Sequence, residues 1–128
     1  MPIHFLHART CYDHLAGEIA VKVLDGMLRA RWLVGDGHEY KATRLGRTEL
    51  AALGVDTGTD KHSRRAFARS CVDLTQRRPH LAGALGASML DLYVRKGWIL
   101  RSAGSRVVSI SPKGRTAFGQ VLGVSMDD

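Results

Sequence analysis

The feature that most constrains this chain is a match of the sequence to itself. Sliding it by 66 residues lays HLAGEIAVKVLDGMLRARWLV (His14 to Val34) on HLAGALGASMLDLYVRKGWIL (His80 to Leu100). The identities are His14/His80, Leu15/Leu81, Ala16/Ala82, Gly17/Gly83, Leu24/Leu90, Asp25/Asp91, Arg29/Arg95 and Trp32/Trp98, and most other pairs exchange one apolar residue for another. Upstream, ARTCYD (Ala8 to Asp13) matches ARSCVD (Ala68 to Asp73), and six extra residues, Leu74 to Pro79, precede the second His-Leu-Ala-Gly. Downstream, GRTELAALGV (Gly46 to Val55) matches GRTAFGQVLGV (Gly114 to Val124) with one residue of slack. A chain that spells one unit twice predicts two copies of a small fold packed on each other. The boundaries read as a first copy over 1–55, a linker over 56–62, a second copy over 63–124 and a tail over 125–128.

Within each copy the local signals run in the same order. Ile19, Val23, Leu24, Met27 and Leu28 recur at three- and four-residue spacing, so Gly17 to Arg31 reads as an amphipathic helix, and 80–96 does the same with Leu81, Leu85, Met89 and Leu92. Strands follow at Trp32 to Val34 and Trp98 to Arg101, closed by the turns GDGH (Gly35 to His38) and Ala103 to Ser105, with returning strands at Glu39 to Ala42 and Arg106 to Ile110. Thr43 caps a last helix that Gly54 stops, and Ser111-Pro112 starts its counterpart. Ahead of each unit, Phe5 to Asp13 and Ser63 to Arg77 read as helices, with Pro79 breaking the second. Gly17 and Gly83 supply the turn between helices. Trp32 and Trp98 read as aromatics sealing a wing to the core. The predicted fold class is α+β, mainly helical: a tandem winged-helix-like repeat, each copy helix-helix-strand-strand-helix.

On these residues the chain resembles bacterial winged-helix transcriptional regulators. VRKGWILRSAGSRVVSISPKGRTAF (Val94 to Phe118) is similar to the end of a recognition helix, a wing and the start of a last helix, while ARTCYDHLAG and RRPHLAGALG are similar to the carboxy-terminal region of longer ArsR-type regulators. The resemblance covers essentially all 128 residues, but only seven stand before Ala8, where those regulators carry an ArsR winged helix. It implies a transcriptional regulator, as the downstream half of a longer one, working as a DNA-associated module. The alternative it leaves open is a dimerisation or effector- and metal-sensing domain that does not itself touch DNA.

The charge distribution favours a polyanionic partner. Residues 1–60 carry seven Lys/Arg against eight Asp/Glu, and residues 61–128 carry twelve against four, so the whole excess of +7 sits in the second half. Between Leu74 and Met126 the only acid is Asp91, against the candidate DNA-contacting residues Arg77, Arg78, Arg95, Arg101, Arg106, Lys113 and Arg115, and also Lys96. Arg101 and Arg106 flank the second wing's turn, suited to phosphate or a narrow minor groove, whereas the first wing carries Asp36 and Glu39, which would repel a backbone. The expected partners are DNA and a second copy of the chain, with a small effector or metal ion as a further possibility. No cofactor is expected.

Two cysteines without a disulfide framework fit a reducing, cytoplasmic setting, and no apolar run suggests a membrane span. Paired carboxylates, phosphate loops and dinucleotide fingerprints are missing from the sequence, so an enzyme is not expected and no catalytic residue is assigned. Cys11, His14, Cys71 and His80 read first as small buried thiols and backbone-bonded histidines at helix junctions. The alternatives are thiol redox sensing and, if a pseudo-twofold axis brought the copies together, a tetrahedral zinc-type site.

Overall fold

In the computed structural model, which describes residues 3–57 and 67–125, each half leads with a β-hairpin. A short helix α1 (Ile3–His7) precedes the first, in which β1 (Arg9–Cys11) runs antiparallel to β2 (His14–Ala16), with Thr10 opposite Leu15 and Cys11 opposite His14. The two-residue turn between them closes because Tyr12 adopts a φ of 55°. The expected helix over Phe5–Asp13 is therefore corrected beyond His7. The expected helix over Ser63–Arg77 is corrected too: residues 63–66 lie outside the described residues, Arg69–Val72 form a strand, and Asp73 to Arg77 lie in a turn. The second hairpin pairs β5 (Arg69–Val72) with β6 (Pro79–Ala82), setting Cys71 opposite His80, and Pro79 opens a strand instead of breaking a helix.

Beyond their hairpin partners, these strands also take partners far away in sequence. The Thr10 amide donates to the Arg106 carbonyl at 2.8 Å and the Val108 amide to the Ala8 carbonyl at 3.2 Å; in the other direction, Ser70 donates to the His38 carbonyl at 2.8 Å and Tyr40 to the Ala68 carbonyl at 2.9 Å. Each leading hairpin thus lends its outer strand to the other half's wing, satisfying backbone groups that a lone three-residue strand would leave open.

The rest of each half follows the sequence reading closely. Helix α2 (Glu18–Arg29) buries Ile19, Val23, Leu24 and Met27. It leads into β3 (Leu33–Gly35), paired with β4 (Tyr40–Ala42), and then α3 (Arg44–Leu53). Helix α4 (Gly83–Arg95) buries Leu85, Met89, Leu90 and Leu92, and is followed by β7 (Ile99–Arg101), β8 (Val108–Ile110) and α5 (Pro112–Leu122). Thr43 and Ser111 cap α3 and α5 by accepting the Gly46 and Gly114 amides, each at 2.9 Å, and Gly54 ends α3 in the left-handed conformation. Gly17 and Gly83 sit at φ of 93° and 82°, but between a strand and a helix rather than between two helices. A Cβ on Gly17 would lie 2.9 Å from two backbone carbonyl oxygens, so both conformation and space exclude a side chain.

Hairpin, helix, hairpin, helix is thus the order in both halves, an α+β arrangement in which a hairpin stands where the leading helix was expected. One contiguous apolar core runs through both, because α2 packs on β6 and α4 on β2. Trp32 and Trp98 are both buried, and Trp98 meets Phe118 edge-on at 5.3 Å between ring centroids. Among the described residues no helix is long and apolar enough to cross a membrane.

Candidate metal centre between the halves

Cross-strand partners on a hairpin point to the same face, so Cys11 with His14, and Cys71 with His80, are each delivered as a pair. Strands β2 and β6 pack together, and this brings the two pairs into one cluster. One ligand atom from each of the four residues, two thiol sulfurs and two imidazole nitrogens, lies within 4.8 Å of all the others. The histidines are on strands, a correction to the helix-junction positions expected from sequence.

The imidazoles are oriented from behind. His80 Nδ1 lies 3.0 Å from Asp73 Oδ2, and His14 Nδ1 lies 3.4 Å from Asp13 Oδ1, which leaves both Nε2 atoms facing inward, 3.0 Å apart. A ring whose Nδ1–H is given to a carboxylate presents its Nε2 lone pair to whatever it faces. Both histidines are buried, whereas the thiols are half-buried on the solvent side.

Asp73 is the hub behind this arrangement. Fully buried, it accepts the Gly17 amide at 2.6 Å, the Thr75 amide and hydroxyl at 3.0 and 2.8 Å, the Gln76 amide at 3.1 Å, and Arg9 Nη2 at 3.3 Å. Burial by itself would raise its pKa, but the Gly17 amide, the Thr75 hydroxyl and the neighbouring amides together outweigh it and hold the carboxyl well below the usual carboxylate range. For His80 burial dominates over the Asp73 hydrogen bond, so its pKa is lowered and the neutral imidazole is favoured. Burial pushes the Cys71 thiol up, and the neighbouring Cys11 adds to the effect. Two imidazole nitrogens and two thiols that a cation can convert to thiolates form a donor set for soft or borderline metals.

Neither Arg9 nor Asp73 was legible as a site residue, since 64 positions separate them. The one signal available was the shared Arg and Asp of ARTCYD and ARSCVD. The residues expected to meet DNA are all exposed, and they fall on separate elements. Arg77 and Arg78 lie in the β5–β6 turn, where Arg78 pairs with Asp25; Arg95 pairs with Asp91 at the end of α4 at 2.7 Å. Arg101 is on β7, Lys113 and Arg115 are in the first turn of α5, and Arg106 Nε donates to the Thr10 carbonyl at 3.0 Å, tying that side chain to the far hairpin.

No family model matches the chain, and no solved structure matches it. Over 124 residues, 97% of its length, the chain is 36% identical to YdfF of Bacillus subtilis (strain 168), whose name is uncharacterized HTH-type transcriptional regulator. The chain spans 54% of that protein, so its likeness is to about half of a transcriptional regulator.

Proposed function

We propose that this chain is the signal-receiving half of an ArsR-like transcriptional regulator, acting in the cytoplasm as a homodimer and without enzymatic activity. It is built from two winged-helix-like units, 1–55 and 63–124, joined by a linker at 56–62 and followed by a tail at 125–128, with a hairpin in place of each leading helix. The observation that carries this reading is the match of nearly the whole chain to about half of an HTH-type regulator. The four-donor cluster at the junction favours sensing over base reading, because a ligand held by both halves bears on how they sit together. The test is operator occupancy by the longer regulator with and without Cys71→Ser: DNA affinity is retained and the response to signal is lost. Tight, sequence-specific operator binding by this chain alone would refute the assignment.

The charge asymmetry favours a second role, a weak contact of the second half with DNA through Arg77, Arg78, Arg95, Arg101, Arg106, Lys113 and Arg115. Duplex binding then falls steeply between low and physiological salt, and Arg101→Ala with Arg106→Ala flattens the salt slope by about one to two units on any sequence. Asp36→Asn with Glu39→Gln leaves binding equal or tighter. Duplex binding undetectable at low salt would refute this role.

A further inference from the structure

We infer that Cys11, His14, Cys71 and His80 form a closed tetrahedral site for one borderline-soft divalent cation of the zinc class, held jointly by the two halves of the chain. As a regulatory signal the cation rests on the sensing reading above; as a binding reaction it does not.

The donor set selects the class of ion. Two sulfurs and two imidazole nitrogens suit zinc, cobalt(II) or cadmium, whereas magnesium and calcium require oxygen ligands, and no carboxylate is in the inner set. The dimensions agree. Metal bonds of about 2.3 Å to sulfur and 2.0–2.1 Å to nitrogen place tetrahedral donors roughly 3.3–3.8 Å apart. The Nε2 atoms, at 3.0 Å, are already close to that spacing, and the full cluster, within 4.8 Å, needs movements of about 1 Å to reach it.

Each Nδ1 is turned to a carboxylate and the two Nε2 atoms face each other at 3.0 Å, a position that one shared proton, or one cation in its place, satisfies. The backing carboxylates, Asp13 and Asp73, are the outer shell expected for metal-bound histidine, where they fix the ring orientation and strengthen the ligand. Asp73 is itself immobilised by the Gly17, Thr75 and Gln76 amides, so this shell is built before any ion arrives. Four protein ligands leave no position for a reactive water, which suits a structural or sensing site rather than a catalytic one.

Binding is a balanced exchange: the cation forms two bonds to sulfur and two to nitrogen, and both thiols release their protons to solvent, with no oxidation or reduction. Each half supplies two of the four bonds. The ion therefore ties the halves at their junction.

The experiment is a titration of the reduced, chelator-stripped chain with cobalt(II), followed by zinc(II). The expected result is saturation at one cobalt per chain, with the visible spectrum of a tetrahedral ion and a thiolate charge-transfer band, then full displacement by zinc and indifference to millimolar magnesium. Cys71→Ser and His80→Gln each weaken binding by at least about 100-fold and abolish the tetrahedral spectrum, while Asp73→Asn weakens it about 10- to 100-fold with the spectrum kept. Cys11→Ser, at a half-exposed position, serves as the variant least prone to misfold, with circular dichroism as the check. Absence of saturable binding in the folded parent, an octahedral spectrum, or binding unchanged in folded Cys11→Ser overturns the proposal. The two readings fail separately: cobalt binding as described, with operator occupancy of the longer regulator indifferent to zinc, removes the signal and keeps the site. A regulated operator with no cation bound removes the site and keeps the regulator.

Discussion

Replacing Asp73 by alanine tests the polar hub directly. The carboxylate is fully buried and Arg9 is only 2% exposed, so the substitution strips a buried guanidinium of its carboxylate partner. Breaking a buried pair from one side costs about 3–5 kcal/mol, well above a surface ion pair's fraction of a kcal/mol. The Gly17 and Gln76 amides lose their acceptor as well, which pushes the cost toward the upper end of that range. Against a total stability of about 5–15 kcal/mol this is a large share, and at this chain length it corresponds to a fall in melting temperature of roughly 10–20 °C. Thermal and urea denaturation of the chelator-treated protein, followed by circular dichroism, measures it without interference from bound ions. Asp73→Asn, which keeps an acceptor but not the charge, falls in between. Adding Arg9→Met to Asp73→Ala restores about 2 kcal/mol, because the pair is then removed as a unit. If Asp73→Ala melts within about 3 °C of the parent, the hub does not organise the junction and the argument built on it fails.

The remaining predictions address packing and capping. Gly86→Ala places a Cβ 2.8 Å from the Leu81 carbonyl and 3.3 Å from His14 Cβ, so it destabilises by about 1–3 kcal/mol in chemical denaturation and perturbs the His14 ring signals in NMR. Phe118→Ala removes a fully buried ring that meets Tyr93 at 4.9 Å and Trp98 at 5.3 Å between centroids; a loss of about 3–5 kcal/mol is expected, with a red shift in tryptophan emission. Thr43→Ala and Ser111→Ala each cost about 0.5–2 kcal/mol, and similar values from the two would support equivalent roles for α3 and α5 in their halves.

What could be read from the sequence was whatever short-range rules govern. The wings with their Asp-Gly and Ala-Gly-Ser turns, the caps at Thr43 and Ser111, the stop at Gly54 and the apolar stripes of α2 and α4 all depend on residues within a few positions of each other. The leading hairpins escaped the same rules. Arg9–Cys11 and Arg69–Val72 are too short to show a strand period, and beyond their hairpin partners they are held by bonds to Arg106 and His38, 96 and 32 positions away from Thr10 and Ser70. The four donors were recognisable by type and by their recurrence. Their convergence was not, since it requires the packing of β2 on β6, and the carboxylate shell depends on Asp73 being drawn under the first half by the Gly17 amide.

The reciprocal lending of strands has a consequence for the chain as an object that can be cut. A piece ending at Val55 keeps Cys11 and His14, but the His38 carbonyl loses its donor at Ser70 and the Tyr40 amide loses its acceptor at Ala68. A piece beginning at Phe67 keeps Cys71 and His80, while Arg106 and Val108 lose Thr10 and Ala8. What each fragment lacks is what the other carries, down to half of the donor set, so the two are a complementation pair that should reassemble from separate polypeptides. The same reciprocity is the geometry of an isologous dimer, here with both copies carried on one chain and their shared face as its interior.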